Sequence, residues 1–152
     1  MKLYLLRHAK SDWSNSQLAD IDRPLAEKGI RQCKALQSFC NKNQIEPDRV
    51  LCSPSKRTKE TLHKIFDQKT ITKAEFPEEL YLASAETILN LVSEKEVDSL
   101  LVIAHNPGLE EFINGVTGAR VSFGTGCFAK VELSRFPSSR GVLKWFVRPK
   151  IL

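Results

Sequence analysis

No apolar run in this 152-residue sequence approaches the ~20 residues that a membrane-crossing helix requires, and no helical span of a bilayer is expected. No CxxC pair occurs among Cys33, Cys40, Cys52 and Cys127, and the closest two lie seven positions apart on a predicted helix, which argues against a metal cluster. Cys33 and Cys52 fall on apolar faces, where a reduced cysteine packs as a small hydrophobe, consistent with a reducing compartment. Nor is there a long basic run. The net charge of +5 is scattered, so an anionic substrate explains it at least as well as nucleic acid does, and neither nucleic acid nor membrane is expected as a partner. Internal repeats and low-complexity segments are missing too.

What is present fits one soluble domain, residues 1–152, long enough to bury roughly two thirds of its unfolded surface in a single core. The first element is the most informative. Leu3-Tyr4-Leu5-Leu6 reads as a buried strand that delivers Arg7-His8 into a polar loop, and Leu100-Leu101-Val102-Ile103-Ala104 runs in the same way into His105-Asn106-Pro107-Gly108. Because Arg7 and His8 lie so close to the start, a cleaved signal peptide would remove them, and a cytoplasmic location is expected.

Periodicity predicts a strand at 2–6, an aperiodic stretch from 9 to 24, and an amphipathic helix at 26–42 over Ile30, Cys33, Leu36, Phe39 and Cys40. An aperiodic stretch of that length inside a compact domain points to function. A strand at 49–52 follows, then a helix to about residue 67 with Ser53 as N-cap and Pro54 in its first turn. Beyond it lie a short strand near 70–76, a helix near 85–94, a strand at 99–104 and a helix opened by Pro107. The runs 121–133 and 142–147, joined through Pro137-Ser138-Ser139-Arg140-Gly141, read as an antiparallel pair at one edge. The whole is an α/β domain with a mostly parallel central sheet, helices on both faces and an antiparallel C-terminal edge.

In open α/β sheets, ligands gather beyond the carboxyl ends of the strands. Three such ends carry Arg7-His8, Ser53 with Arg57 one turn further on, and His105, so two imidazoles and two guanidiniums converge if the strands are neighbours. Guanidinium forks match phosphate oxygens, and helix starts near Pro54 and Pro107 add N–H groups. A neutral imidazole can attack phosphorus through a phosphoramidate intermediate. His8 is the candidate nucleophile, and His105, if protonated, would stabilise charge on the equatorial oxygens. No carboxylate cluster offers a metal a home, and no cofactor is expected. A single histidine at a strand end is more often a structural hydrogen-bonding residue, and Arg7 or Arg57 alone could be an ion-pair or surface residue; their joint occurrence at successive strand ends favours a site. His63, beside Leu62 and Lys64 on a helix, reads as structural.

These residues form a recognisable set. Leu5-Leu6-Arg7-His8-Ala9-Lys10-Ser11 with Trp13, Asp22-Arg23-Pro24-Leu25 with Gly29, Ser53-Pro54 with Arg57 and Thr61, and Ala104-His105-Asn106-Pro107 together resemble the histidine phosphatase superfamily, and within it the small SixA-type phosphohistidine phosphatases. The resemblance covers nearly the whole chain and implies a phosphoglycerate mutase-like fold. It implies His8 as nucleophile, Arg7 and Arg57 holding the phosphoryl group, and His105 completing the pocket, with Ser11, Arg23 and Asn106 as substrate-binding candidates. Arg23 could instead anchor the loop. Two departures stand out: Ala9 replaces the usual glycine after the Arg-His pair, and Ala26 stands where relatives often carry Ser or Thr, leaving the helix without a side-chain cap.

Larger relatives draw a Glu or Asp proton donor from an insertion after the second helix. Here only about thirty residues separate Asp67 from Ser99, already filled by a strand and a helix, and a lid does not fit; Glu78, Glu79, Asp12 and Asp22 remain as candidate acids. An alkoxide leaving group needs a proton in the transition state, whereas a phosphoramidate nitrogen can be protonated before the bond breaks. The leading expectation is a cofactor-independent phosphatase acting on phosphohistidine in a protein such as a histidine phosphotransfer domain, its pocket also accepting phosphate and other oxyanions. The alternatives are a phosphatase of small phosphomonoesters using a carboxylic acid, and a non-catalytic phosphate-binding module; a mutase, which favours an enclosed site, is disfavoured.

Overall fold

The computed structural model describes residues 1–134 and 140–152. Six strands form one sheet in the order β3-β2-β4-β1-β5-β6: β1 (Lys2–Arg7), β2 (Arg49–Cys52), β3 (Ala74–Glu75), β4 (Ser99–Ala104), β5 (Phe128–Leu133) and β6 (Gly141–Val147). The first four run parallel; β5 is antiparallel to β1 and to β6, which gives the expected antiparallel edge. Every residue of β4 is buried, as a central strand covered on both faces requires.

Strand alternation divides the core in two. Leu3, Leu5, Leu51, Leu100, Val102 and Ala104 face Ile88 and Val92 of α4 (Ala85–Ser93) and Leu109, Phe112 and Ile113 of α5 (Gly108–Thr117). Tyr4, Leu6, Val50, Cys52, Leu101 and Ile103 face Cys33, Leu36 and Cys40 of α1 (Glu27–Lys42) and Leu62 and Ile65 of α2 (Lys56–Ile65). Helices therefore cover both faces. All four cysteines are buried thiols, and burial pushes Cys33, Cys40 and Cys52 up to about 12.

Several expected boundaries move for local reasons. Ser53 does not cap α2; the chain stays extended to Ser55, whose hydroxyl accepts from the Thr58 N–H, and Pro54 lies outside the helix. The expected strand at 70–76 shrinks to Ala74–Glu75, because Asp67 accepts from the Thr70 N–H and caps a short helix, α3 (Gln68–Ile71), over the threonines. Ile30, expected on the apolar face of α1, is 45% exposed, and Gly29 takes the buried position instead. Ala26 does stand at the N-cap of α1 without a side-chain bond. Residues 121–127 form a loop instead of the start of a strand: Gly118 ends α5 at φ 72°, Gly126 turns at φ 71°, and the carbonyls of Phe123 and Thr125 go to Arg7 and Gln32. Of the expected 137–141 connection, 137–139 lie outside the described residues.

Candidate active site

Sheet register builds the site. Arg7 pairs with Ala104 and Cys52 with Ile103, so the residues just past three adjacent strands, His8, His105 and Ser53, arrive side by side at the carboxyl end of the sheet. Backbone bonds extend the pairing beyond the strands, from His8 N–H to the Ala104 carbonyl at 3.2 Å and from Ser53 N–H to the Ile103 carbonyl at 2.9 Å. The imidazoles of His8 and His105 lie with ring centroids 5.2 Å apart.

Each imidazole has its tautomer fixed by its neighbours. Nδ1 of His8 sits 2.8 Å from the Ala9 carbonyl, which only an N–H can satisfy, so the lone pair is on Nε2. That lone pair faces Arg57, whose Nε donates to it at 3.3 Å. Burial, opposed by the Ala9 bond and reinforced by Arg57, Arg7 and Arg23, pushes His8 down to about 4, so at neutral pH it is an uncharged nucleophile. His105 makes a 2.7 Å bond with the Ser53 hydroxyl through Nε2 and lies 3.4 Å from Arg57 Nη2 through Nδ1. Burial, His8 and Arg57 push it down to about 3. The expectation of a cationic His105 therefore changes: the protein holds it neutral, and the extra negative charge of a phosphoryl group is what would draw a proton to it.

The guanidiniums are placed differently. Arg57, 2% exposed on the first turn of α2, spans the site: Nε to His8, Nη2 towards His105, and Nη1 to the Asp20 carbonyl at 2.7 Å. Arg7 leaves β1 and donates from Nη1 to the Phe123 carbonyl at 2.9 Å, while its buried Nε–H has no hydrogen-bond partner among the described residues. An unpartnered buried donor on the residue next to the candidate nucleophile is what an anion would satisfy.

The three remaining candidates serve the loops. Arg23 donates to the Ser11 hydroxyl at 2.9 Å and to Asp20 at 2.7 Å, and its guanidinium lies 3.3 Å from the Trp13 ring centre. Of the two roles open to Arg23, anchoring the loop is the one its contacts describe, and Ser11 is its partner there. Asn106 donates to Glu110 at 2.6 Å and to the Phe123 carbonyl at 2.9 Å, which ties the β4–α5 corner to the 118–127 loop. None of the three directs its donors to the histidines.

The expected acids also lie elsewhere. Asp12 accepts from the Ser14 N–H, Asp22 lines a neighbouring groove of about 470 Å³ with Lys56 and Lys59, and Glu78 and Glu79 are exposed on a 3-10 turn, Glu78–Leu80, that buries Leu80. The carboxylate that reaches the site is one the sequence reading missed, Asp20. It sits on a second 3-10 turn, Asp20–Asp22, with Oδ2 3.0 Å from Arg57 Nη2, and it accepts from the Tyr81 hydroxyl. Tyr81, delivered by the Glu78–Leu80 turn, packs edge-on to His105 with centroids 5.6 Å apart. Bonds from Tyr81, Arg23 and Arg57 hold Asp20 well below the usual carboxylate range despite its partial burial. The signal available in sequence was an Asp three residues before Arg23 within the aperiodic stretch.

Comparison with known proteins bears on the family and the fold. The profile of the Histidine phosphatase superfamily (branch 1) matches residues 3–81. An uncharacterized protein of Mycobacterium tuberculosis (strain ATCC 25618 / H37Rv) is 32% identical over 137 residues, covering 88% of this chain and 82% of its own length. Phosphohistidine phosphatase SixA of Escherichia coli (strain K12) is 26% identical over 156 residues, covering 98% of this chain and 94% of its own. Among solved structures, the protein histidine phosphatase SixA complexed with tungstate superposes with a TM-score of 0.84 at 23% identity, over 99% of each chain, a likeness of fold.

Proposed function

The chain belongs to the histidine phosphatase superfamily, and from that premise we propose that it hydrolyses phosphohistidine in a protein, breaking an N–P bond through a phosphorylated His8 and without a metal or organic cofactor. The observation that supports the substrate class is the set of contacts around Asp20, the carboxylate that reaches the site among the described residues, which is paired with Arg57 and Arg23 and accepts from Tyr81. Asp20 is held ionised by Tyr81, Arg23 and Arg57, so it has no proton for an alkoxide, and Glu78, Glu79, Asp12 and Asp22 are placed elsewhere. A phosphoramidate nitrogen does not need that proton at the moment of cleavage.

In the proposed first step the Nε2 lone pair of His8 attacks phosphorus of a phosphohistidine protonated on its second ring nitrogen, the N–P bond of the substrate breaks, and its electron pair returns to the ring, which leaves as a neutral imidazole. His8 keeps its Nδ1 proton on the Ala9 carbonyl and so carries the positive charge of an N-phosphorylated ring. Arg57, already bonded to the attacking nitrogen, and the free Nε–H of Arg7 hold the equatorial oxygens, with His105 oriented by Ser53 beside them. Water then attacks the same phosphorus, inorganic phosphate leaves, and His8 returns to its neutral form. E. coli phosphohistidine phosphatase SixA, aligned over 98% of this chain, supports this choice of substrate.

Acid-quenched and base-quenched samples taken during turnover test the intermediate: phosphate on the wild-type protein should be acid-labile and alkali-stable, and absent from His8→Ala. Full activity in that variant would exclude the mechanism. Substrate choice is tested by kcat/KM for a phosphohistidine-bearing phosphotransfer domain against simple sugar phosphates under the same conditions. A preference for sugar phosphates would overturn the reading.

A further inference from the structure

The protein's own carboxylate lies on the phosphate-binding arginine, in a position where a phosphatase for neutral leaving groups would be expected to avoid negative charge. We propose that Asp20 is a specificity-determining residue that faces the leaving group and selects phosphoryl donors whose departing nitrogen heterocycle is positively charged. This rests on the phosphohistidine reading above and extends it to a residue that the four-residue pocket does not include.

The geometry leads there in three steps. His8 lies at the bottom of the site, 6% exposed, while the Asp20 side chain is 43% exposed and Tyr81 is half-buried beside it. In-line displacement puts the leaving group on the far side of phosphorus from His8 Nε2, hence at the mouth, where Asp20 and Tyr81 stand. Arg57 joins the two sides, with Nε on the nucleophile and Nη2 on Asp20 Oδ2 at 3.0 Å, so a phosphoryl group held by this guanidinium has its leaving group next to the carboxylate.

Charge then sorts the substrates. A phosphorylated imidazole protonated on its second nitrogen is a ring cation, and an adjacent carboxylate stabilises that protonated, reactive form by Coulomb attraction and by accepting its N–H. The step balances: neutral His8 and a phosphoimidazolium become phosphoimidazolium at His8 and a neutral imidazole, with no proton crossing the site. An alkyl phosphate offers Asp20 no positive charge, and the ionised carboxylate offers an alkoxide no proton. Tyr81 donates to one Asp20 lone pair, while the ion pairs with Arg23 and Arg57 hold the charged carboxylate in place independently of it.

The test uses two small probes, N-phosphoimidazole and p-nitrophenyl phosphate, whose leaving group needs no proton. Asp20→Asn should lower kcat/KM for phosphoimidazole by about 10-fold, the order expected of one charge pair near a protein surface, with less than about threefold change for p-nitrophenyl phosphate. The alkaline limb of kcat for phosphoimidazole should move to lower pH, and Asp20→Glu should restore much of the preference. Equal losses on both probes would overturn the proposal and leave Asp20 as a prop for Arg57. If Asp20→Asn does not fold, Tyr81→Phe, which keeps the charge, should preserve the ratio between the probes; a collapse of that ratio would also count against it. A wild-type protein inactive on phosphoimidazole yet active on alkyl phosphates would remove the phosphohistidine reading itself, an outcome distinct from an Asp20→Asn variant that loses both probes alike.

Discussion

At the scale of single residues, the site stores its chemistry in two histidines that folding keeps neutral. An unfolded chain binds protons on both near the ordinary value of 6.5, whereas the folded protein resists doing so until about 4 at His8 and about 3 at His105. The unfolded state therefore holds more protons throughout that window, and stability falls as pH falls from about 6.5 towards 4, with a slope approaching about 1.4 kcal/mol per pH unit for each histidine. The carboxylates held low, Asp12, Asp20, Asp48 and Asp67, contribute stability that is lost only as pH falls through and below the ordinary carboxylate range, so they leave the upper window to the histidines. Urea unfolding between pH 6.5 and 4.5 should show this loss, and His105→Ala should show roughly half of it; a flat wild-type profile would contradict the neutral pair. The same shift keeps His8 competent as a nucleophile, so the acid limb of kcat/KM that belongs to it should lie near 4 instead of near 6.5. Replacing Arg57 by Ala should cost on the order of 10²-fold or more in kcat, because it takes transition-state charge stabilisation from the nucleophile side and the Asp20 side together.

At the scale of elements, the contact that fixes the nucleophile's loop is the first turn of α1 against that loop. A Cβ on Gly29 would lie 2.2 Å from the Lys10 carbonyl oxygen, a distance that only movement of backbone can relieve. Below it, Ala9 N–H donates to the Thr61 hydroxyl of α2 at 3.0 Å, and Ser11 bridges to Leu25 across the loop's neck. Gly29→Ala should therefore cost about 2 kcal/mol or more of stability, as overpacking a tight backbone contact does, and should lower kcat with it by displacing residues 9–11. Denaturant melts and steady-state rates on the same preparation check both; unchanged stability would mean that the loop yields freely. This level also shows what the sequence could convey. Continuous apolar runs made β1 and β4 legible to within a residue, and the neighbouring positions of Arg7-His8 and His105 followed from their strand ends. The α2 cap was misplaced because Ser53 and Ser55 both flank Pro54, and only the structure shows the Ser53 hydroxyl taken by His105. Asp20 and Tyr81 were hidden for a stronger reason: they meet across 61 residues, from two short 3-10 turns that carry no periodicity at all.

At the scale of the whole molecule, buried charges at the site and a positive net charge outside it have separate parts to play. Residues 68–93 hold α3, β3, a 3-10 turn and α4, and from this span Tyr81 reaches the site, packing against His105 and bonding to Asp20. The chain carries a net charge of +5, and three lysines, Lys56, Lys59 and Lys64, line a groove of about 470 Å³ along α2 together with Asp22 and Glu60. Exposed charges of this kind act chiefly on encounter, because their field reaches a partner before contact and is cut off over a Debye length of about 8 Å at physiological ionic strength. The charges that act on the phosphoryl group itself, on Arg57 and Arg7, lie inside and are screened much less. Raising NaCl from about 50 to 500 mM, which shortens the Debye length roughly threefold and screens surface charges far more than a buried pair, should therefore lower kcat/KM for a phosphohistidine-bearing phosphotransfer domain several-fold while leaving its kcat nearly constant. Phosphoimidazole, which presents the same phosphoryl group without an extended surface, should respond less. Lys56→Glu with Lys59→Glu should abolish most of the difference between the two salt responses without changing turnover of the small probe. Identical salt dependence for the protein and the small substrate would show that the lysine-lined groove takes no part in capture.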